Sequence, residues 1–179
     1  WCFCNKLVKK MEQKKPKIVI GADHGGYKLK EELKPFLQQL GYQAEDVGTS
    51  SEESCDYPDY AFKVAEIVGK SEISAAAADN RIPSFPKVFG ILVCRSAAGM
   101  IIAANKVKGV RAVAAFDETS AKHSREHNAA NVLGLSGDWI TAEQAKKVVK
   151  AWLETPFSVE ERHARRLQKI AGFEKRVFK

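Results

Sequence analysis

The strongest constraint on this chain is an alternation of continuously apolar runs with segments of helical period. Lys17-Ile-Val-Ile-Gly-Ala22 and Val88-Phe-Gly-Ile-Leu-Val-Cys94 are apolar at successive positions. That pattern suits strands buried on both faces. Between them, Leu29, Leu33, Phe36, Leu37 and Leu40 recur at helical spacing, and Gly41 follows as a C-terminal cap. Further strands are expected over 42–47, 109–115 and 131–135. Further helices are expected over 57–68, 97–107, 119–127, 141–153 and about 158–172. Thr141 and Gln144 form a capping-box pattern, and Pro156 ends the helix they open. The β-α-β-α order places the chain in the α/β class, with a five-stranded parallel sheet covered by helices on both sides. In such sheets ligands bind at the carboxyl ends of strands. Chemistry is therefore expected just after Ala22, Val47, Cys94, Ala115 and Leu135.

A length of 179 residues suits one domain. It is expected over 16–173, after a basic extension at 1–15 and before a short tail at 174–179. The stretch 71–87 is Ala-rich and then holds Pro83 and Pro86, so it reads as an inserted surface loop. The formal charge is +7, with lysines and arginines crowding both ends. A solvated tail and helix face account for that charge, and no groove-reading motif points to nucleic acid. No apolar run approaches the roughly 20 residues of a membrane span. The opening residues lack the apolar core and cleavage site of a signal peptide, so a cytoplasmic setting is expected. Cysteines at 2, 4, 55 and 94 have no zinc-ligand spacing, and disulfides are not expected in that compartment. Neither a metal site nor a cofactor cradle is evident. Cys55 reads as structural.

Four short stretches carry candidate chemistry. Gly21-Ala-Asp-His-Gly-Gly26 puts Asp23 and His24 at the end of the first strand. They could hold sugar hydroxyls or move a proton; equally, Asp23 could cap the next helix beside a surface histidine. Cys94-Arg-Ser-Ala-Ala-Gly99 puts a thiol at the end of a buried strand, facing a helix start whose dipole favours a thiolate. Its small residues let main-chain N–H groups approach an oxyanion. A plain core cysteine is the competing reading. Arg125-Glu-His-Asn128 offers His127 with Asn128 beside it. Arg162 and Arg166 share a helix face and suit a phosphate, or form a solvated basic surface. Taken together, the set fits cofactor-free proton transfer on a phosphorylated substrate.

Gly21-Ala-Asp-His-Gly-Gly26, Asp46-Val-Gly-Thr49, Asp56-Tyr-Pro-Asp-Tyr-Ala61, Gly90-Ile-Leu-Val-Cys94, Ile102-Ala-Ala-Asn-Lys-Val107, Gly109-Val-Arg-Ala112 and Ser124-Arg-Glu-His-Asn128 resemble the ribose-5-phosphate isomerase type B family, which includes the galactose-6-phosphate isomerase subunits. The resemblance runs from Lys17 to about residue 173. It implies a Rossmann-like three-layer α/β/α sandwich, and a homodimer or tetramer with sites built from two subunits. It implies Cys94 as the base moving a proton between C1 and C2, Ser96 supporting proton movement between the oxygens, and His127 opening the sugar ring. Asp23, His24, Asn128, Arg162 and Arg166 would hold the sugar phosphate, with Arg95, Ala97 and Gly99 of the cysteine loop. Some members use a glutamate base where this chain has Met100.

The chain departs from the family pattern twice. Arg95 and Ala97 replace two loop glycines, and Asp138 stands where many members carry a phosphate-contacting arginine. The two changes are expected to be linked, Arg95 replacing the lost charge or pairing with Asp138. The expected reaction is interconversion of ribose 5-phosphate and ribulose 5-phosphate. A six-carbon aldose phosphate (allose or galactose 6-phosphate) and a non-catalytic sugar-phosphate-binding module are the alternatives.

Overall fold

The computed structural model describes residues 15–78, 85–158 and 160–178. The chain alternates β1 (Lys17–Ala22), α1 (Tyr27–Gln39), β2 (Ala44–Asp46), α2 (Tyr57–Ala78), β3 (Val88–Cys94), α3 (Ala98–Ala104), β4 (Ala112–Ala114), α4 (Glu118–Asn128), β5 (Val132–Ser136), α5 (Ala142–Glu154) and α6 (Glu161–Val177). The five strands form one sheet in the order β2-β1-β3-β5-β4. All four pairings are parallel. This is the α/β/α sandwich expected from the alternation of strands and helices.

Period-two alternation sorts the strand side chains into two cores. Ile18, Ile20, Phe89, Ile91, Val93, Leu133 and Leu135 pack with Leu29, Leu33 and Leu37 of α1 and with Val148, Val149 and Trp152 of α5. Val19, Leu92, Cys94 and Val132 face the opposite way, onto Ala61, Val64, Ala65 and Val68 of α2 and Met100, Ala103 and Ala104 of α3. Cys94 is therefore the last residue of a buried row on the α2–α3 side.

The edge strands β2 and β4 are shorter than the expected 42–47 and 109–115, each having a partner on one side only. The capping box of α5 is present: Gln144 N–H donates to Thr141 Oγ1 at 3.2 Å, and Thr141 N–H donates to Gln144 Oε1 at 2.8 Å.

Two expectations are corrected. Residues 71–78 continue α2 and are not part of a loop. Alanine is the strongest helix former, and Glu72 anchors this end of α2 by an ion pair to Arg111 at 2.7 Å. Residues 79–84 of the expected insertion lie outside the described residues, as do residues 1–14 of the expected extension. At the other end, residues 174–177 are the last turn of α6 and not a tail. The Glu174 carboxylate accepts the Gly109 N–H at 3.3 Å, and Lys108 Nζ donates to the Phe178 carbonyl at 3.2 Å. Among the described residues, no helix is long and apolar enough to cross a membrane.

Candidate active site

The turn after β1 lies directly on the end of β3. A side chain at Gly26 would put its Cβ 2.1 Å from the Val93 carbonyl oxygen and 2.8 Å from the Cys94 nitrogen, so only glycine permits this approach. Asp23 is buried, and its Oδ1 accepts the Gly26 N–H at 3.0 Å. It thus braces the turn, and Gly26 itself is the N-cap of α1. The expected alternative of Asp23 as the helix cap is not what the chain forms. Half-buried His24 accepts the Cys55 N–H on Nδ1 at 3.2 Å, which places the proton of the neutral ring on Nε2. Cys55 Sγ lies 3.7 Å from the same nitrogen. The cysteine read as structural is therefore a neighbour of a candidate site residue.

Cys94 closes β3 with 6% exposure. Burial pushes its thiol up, and the negative charge of Asp23 pushes it further; the N–H groups of Ser96, Ala97 and Met100 pull it down without reversing the rise. The sequence pattern predicts a favoured thiolate. In the free chain the local N–H groups are present, but desolvation and a carboxylate outweigh them. Ser96 is half-buried beside the sulfur, while Met100, at the alternative glutamate position, is fully buried in the α2–α3 core.

The loop that follows places side chains where the family pattern has glycine, at Arg95 and Ala97. Ala97 has φ 65° and ψ −28°, a left-handed conformation that a Cβ disfavours. Gly99 remains glycine because a Cβ there would lie 2.9 Å from the Tyr57 ring. The end of β5 holds the same loop from the other side. Gly137 N–H donates to the Cys94 carbonyl at 2.8 Å and Asp138 N–H to the Arg95 carbonyl at 3.2 Å, while the Ser136 hydroxyl also reaches the Arg95 carbonyl. Arg95 Nη1 stands 3.7 Å from Asp138 Oδ2, the pairing expected from the two substitutions.

A second group forms on α4 and α6. The ring of His127 lies 5.0 Å from that of His123 and 4.5 Å from that of His163, centroid to centroid. His163 is buried, with Nδ1 3.3 Å from Ser158 Oγ. Arg162 and Arg166 are exposed on the same helix, Arg162 pairing with Glu160 at 2.8 Å, and Asn128 is exposed at the end of α4. Arg125 has a different fate. It is buried against Phe89 and Trp152, donates to the carbonyls of Thr155 and Ala130, and is lowered to about 10 by burial and by Arg111.

The structure thus gathers Asp23, His24 and the 94–99 loop at one set of strand ends, and His127, Arg162 and Arg166 around the α4–α6 contact. Among the described residues, no hydrogen bond or ion pair joins the two groups. Sequence reasoning did not single out His163, His123 or Ser136, and it read Cys55, which touches His24, as structural. His163 alone left a signal, one residue from Arg162 on an expected helix. Among the described residues, no three His, Cys, Asp or Glu side chains are placed to hold a metal ion.

Fold and site together define the class: a doubly wound α/β protein with the candidate residues Asp23, His24 and Cys94 at the carboxyl ends of a parallel sheet. The model of the family described as Ribose/Galactose Isomerase matches residues 18–170. Ribose-5-phosphate isomerase B of Escherichia coli (strain K12) is 38% identical over 160 residues, spanning 89% of this chain and 97% of that protein. The structure of Clostridium thermocellum ribose-5-phosphate isomerase B aligns with a TM-score of 0.76 at 42% identity, covering 89% of this chain and 98% of that one. The enzyme of the same name from Mycoplasma genitalium, solved with bound ribulose 5-phosphate, aligns with a TM-score of 0.77 at 37% identity, covering 89% and 96%. The chain belongs to the ribose/galactose isomerase family, and it is an isomerase.

Proposed function

We propose that this chain interconverts ribose 5-phosphate and ribulose 5-phosphate, with Cys94 as the proton-transferring base. The observation that carries the reading is the position of Cys94. Its sulfur ends a buried strand, within reach of three main-chain N–H groups and beside a carboxylate at the adjoining strand end. Relatives named for this reaction support the choice of a five-carbon substrate.

In the proposed reaction His127 donates a proton to the ring oxygen as its bond to C1 breaks, the anomeric hydroxyl gives its proton to water as the C1 carbonyl forms, and the sugar opens. The Cys94 thiolate removes the proton on C2 of the aldose, and the electron pair moves to the C1 carbonyl through an enediolate. The proton returns at C1, while the hydroxyl proton passes from O2 to O1 with Ser96 as relay. N–H groups of the 94–99 loop hold the oxyanion. Asp23, His24, Ala97, Gly99 and Asn128 line the sugar, and Arg162 and Arg166 take the phosphate as paired guanidinium forks.

The separation of the Cys94 group from the His127 group within one chain favours a site assembled from two copies. Each copy would supply the thiol of one site and the imidazole and arginines of the other.

The test is an assay on a panel of five- and six-carbon sugar phosphates, with Cys94→Ala and His127→Ala alongside. Each variant alone is expected to be inactive on ribose 5-phosphate. Mixing the two under conditions that exchange subunits should restore part of the activity, because one of the mixed sites is intact. Turnover of six-carbon phosphates alone would overturn the substrate; a fully active Cys94→Ala would overturn the base.

A further inference from the structure

Arg95 directly follows Cys94, and its backbone is held firmly. Its carbonyl accepts from both Asp138 N–H and the Ser136 hydroxyl. The side chain leaves this anchor across the turn after β1. A Cβ at Gly25 would lie 2.5 Å from Arg95 Cγ, so the aliphatic stem rests on the glycine that follows His24. The guanidinium then reaches the loop after β5, where Nη1 stands 3.7 Å from Asp138 Oδ2. That separation exceeds a hydrogen bond, so charge alone holds the pair. Both side chains are open to solvent, 67% for Arg95 and 47% for Asp138. A cation on a seated stem, facing a weakly engaged anion at the mouth of a strand-end site, is poised to change partners.

We propose that Arg95 is a phosphate-binding arm of the site, and that Asp138 is a built-in competing anion that the substrate's phosphate displaces. This rests on the reading of the chain as a sugar-phosphate isomerase. An exposed ion pair is worth little in water, whereas a phosphate can take two parallel N–H bonds from the planar fork. The exchange therefore favours the ligand. Asp138 also sets a charge condition: its carboxylate repels an anion that does not engage Arg95. The pair discriminates for phosphorylated substrates and makes their binding sensitive to salt.

The experiment compares Arg95→Gln and Asp138→Asn in the full chain. The readouts are KM and kcat on ribose 5-phosphate, and inorganic phosphate both as a competitive inhibitor and as a ligand in calorimetry. Loss of a charge-assisted bond is expected to raise KM and the phosphate inhibition constant about tenfold in Arg95→Gln, carried by KM more than by kcat. Removing the competitor is expected to lower both about two- to fivefold in Asp138→Asn. Thermal melts establish that both variants fold. Unchanged constants in folded Arg95→Gln, or weaker phosphate binding in folded Asp138→Asn, would overturn the proposal. If the wild-type chain turned over no sugar phosphate yet bound phosphate through Arg95, the functional reading would fall and the phosphate arm would stand.

Discussion

The imidazoles of His127 and His163 lie 4.5 Å apart, centroid to centroid, with their planes inclined at 55°. One ring belongs to α4 and the other to α6, so the contact sets how a candidate ring-opening residue is carried on the fold. His163 is 3% exposed and cannot yield without moving α6.

His163→Ala should therefore act twice. Emptying a buried site costs roughly 2–4 kcal/mol, read as a lower midpoint in denaturant. Loss of ring support should lower kcat about tenfold with a smaller change in KM, because His127 loses its aim while the phosphate contacts remain. His163→Phe keeps the ring contact and should recover most of both. A phenylalanine variant as slow as the alanine one would show that the imidazole itself is needed.

The thiol of Cys94 is raised by burial and by the charge of Asp23. Its thiolate is then a minor species at neutral pH, and activity should climb as pH rises above neutral. The expected profile of kcat/KM rises about tenfold per pH unit until that group is ionised. Asp23→Asn removes the second cause of the shift and should move the rising limb to lower pH. An unmoved limb would mean that another group sets it.

Much of this arrangement could be read from residues alone, and the misses have physical causes. The buried runs of β1 and β3 and the capping box of α5 are short-range signals, and all three formed as expected. The extent of α2 is not legible locally, because Pro83 and Pro86 signal a loop while the alanines before them, strong helix formers, carry no stop signal. The direction of the Cys94 shift was missed because it depends on Asp23, some 70 residues earlier in sequence, and on desolvation, which no motif encodes. His163 and Ser136 act through partners that only the packing of helices and strand ends brings near.

Ala97 keeps a positive φ of 65° in the loop beside the thiol. Replacing it by glycine relieves the clash of its Cβ but adds freedom to the unfolded chain. The net expectation for Ala97→Gly is a gain of about 0.5–1 kcal/mol, or roughly 1–4 °C in Tm. Calorimetric melts of the two proteins decide it, and a lower Tm in the variant would contradict the strain.

Asp46 is pushed up by partial burial, but hydrogen bonds from Lys30 and Lys34 and from the Gly48 N–H hold it below the usual carboxylate range. Its folded value is thus depressed below the unfolded one. The stabilisation is present above about pH 4 and is lost as pH falls through the folded value. Because Lys30 is almost fully buried, Asp46→Asn leaves its charge with less compensation and should cost about 2–4 kcal/mol at pH 7. The variant should also lose less stability than the wild type between pH 5 and 2 (midpoints in urea at each pH read this).

In the proposed reaction the sulfur of Cys94 carries the proton between two carbons of an opened sugar. The most direct measurement is proton NMR of ribose 5-phosphate incubated with the protein in heavy water, beside Cys94→Ala shown by calorimetry to bind the same sugar. Solvent deuterium should enter the carbon-bound positions at C2 of the aldose and C1 of the ketose with the wild type, and neither position should exchange with the variant. Exchange at wild-type rate in the alanine variant would contradict the claim.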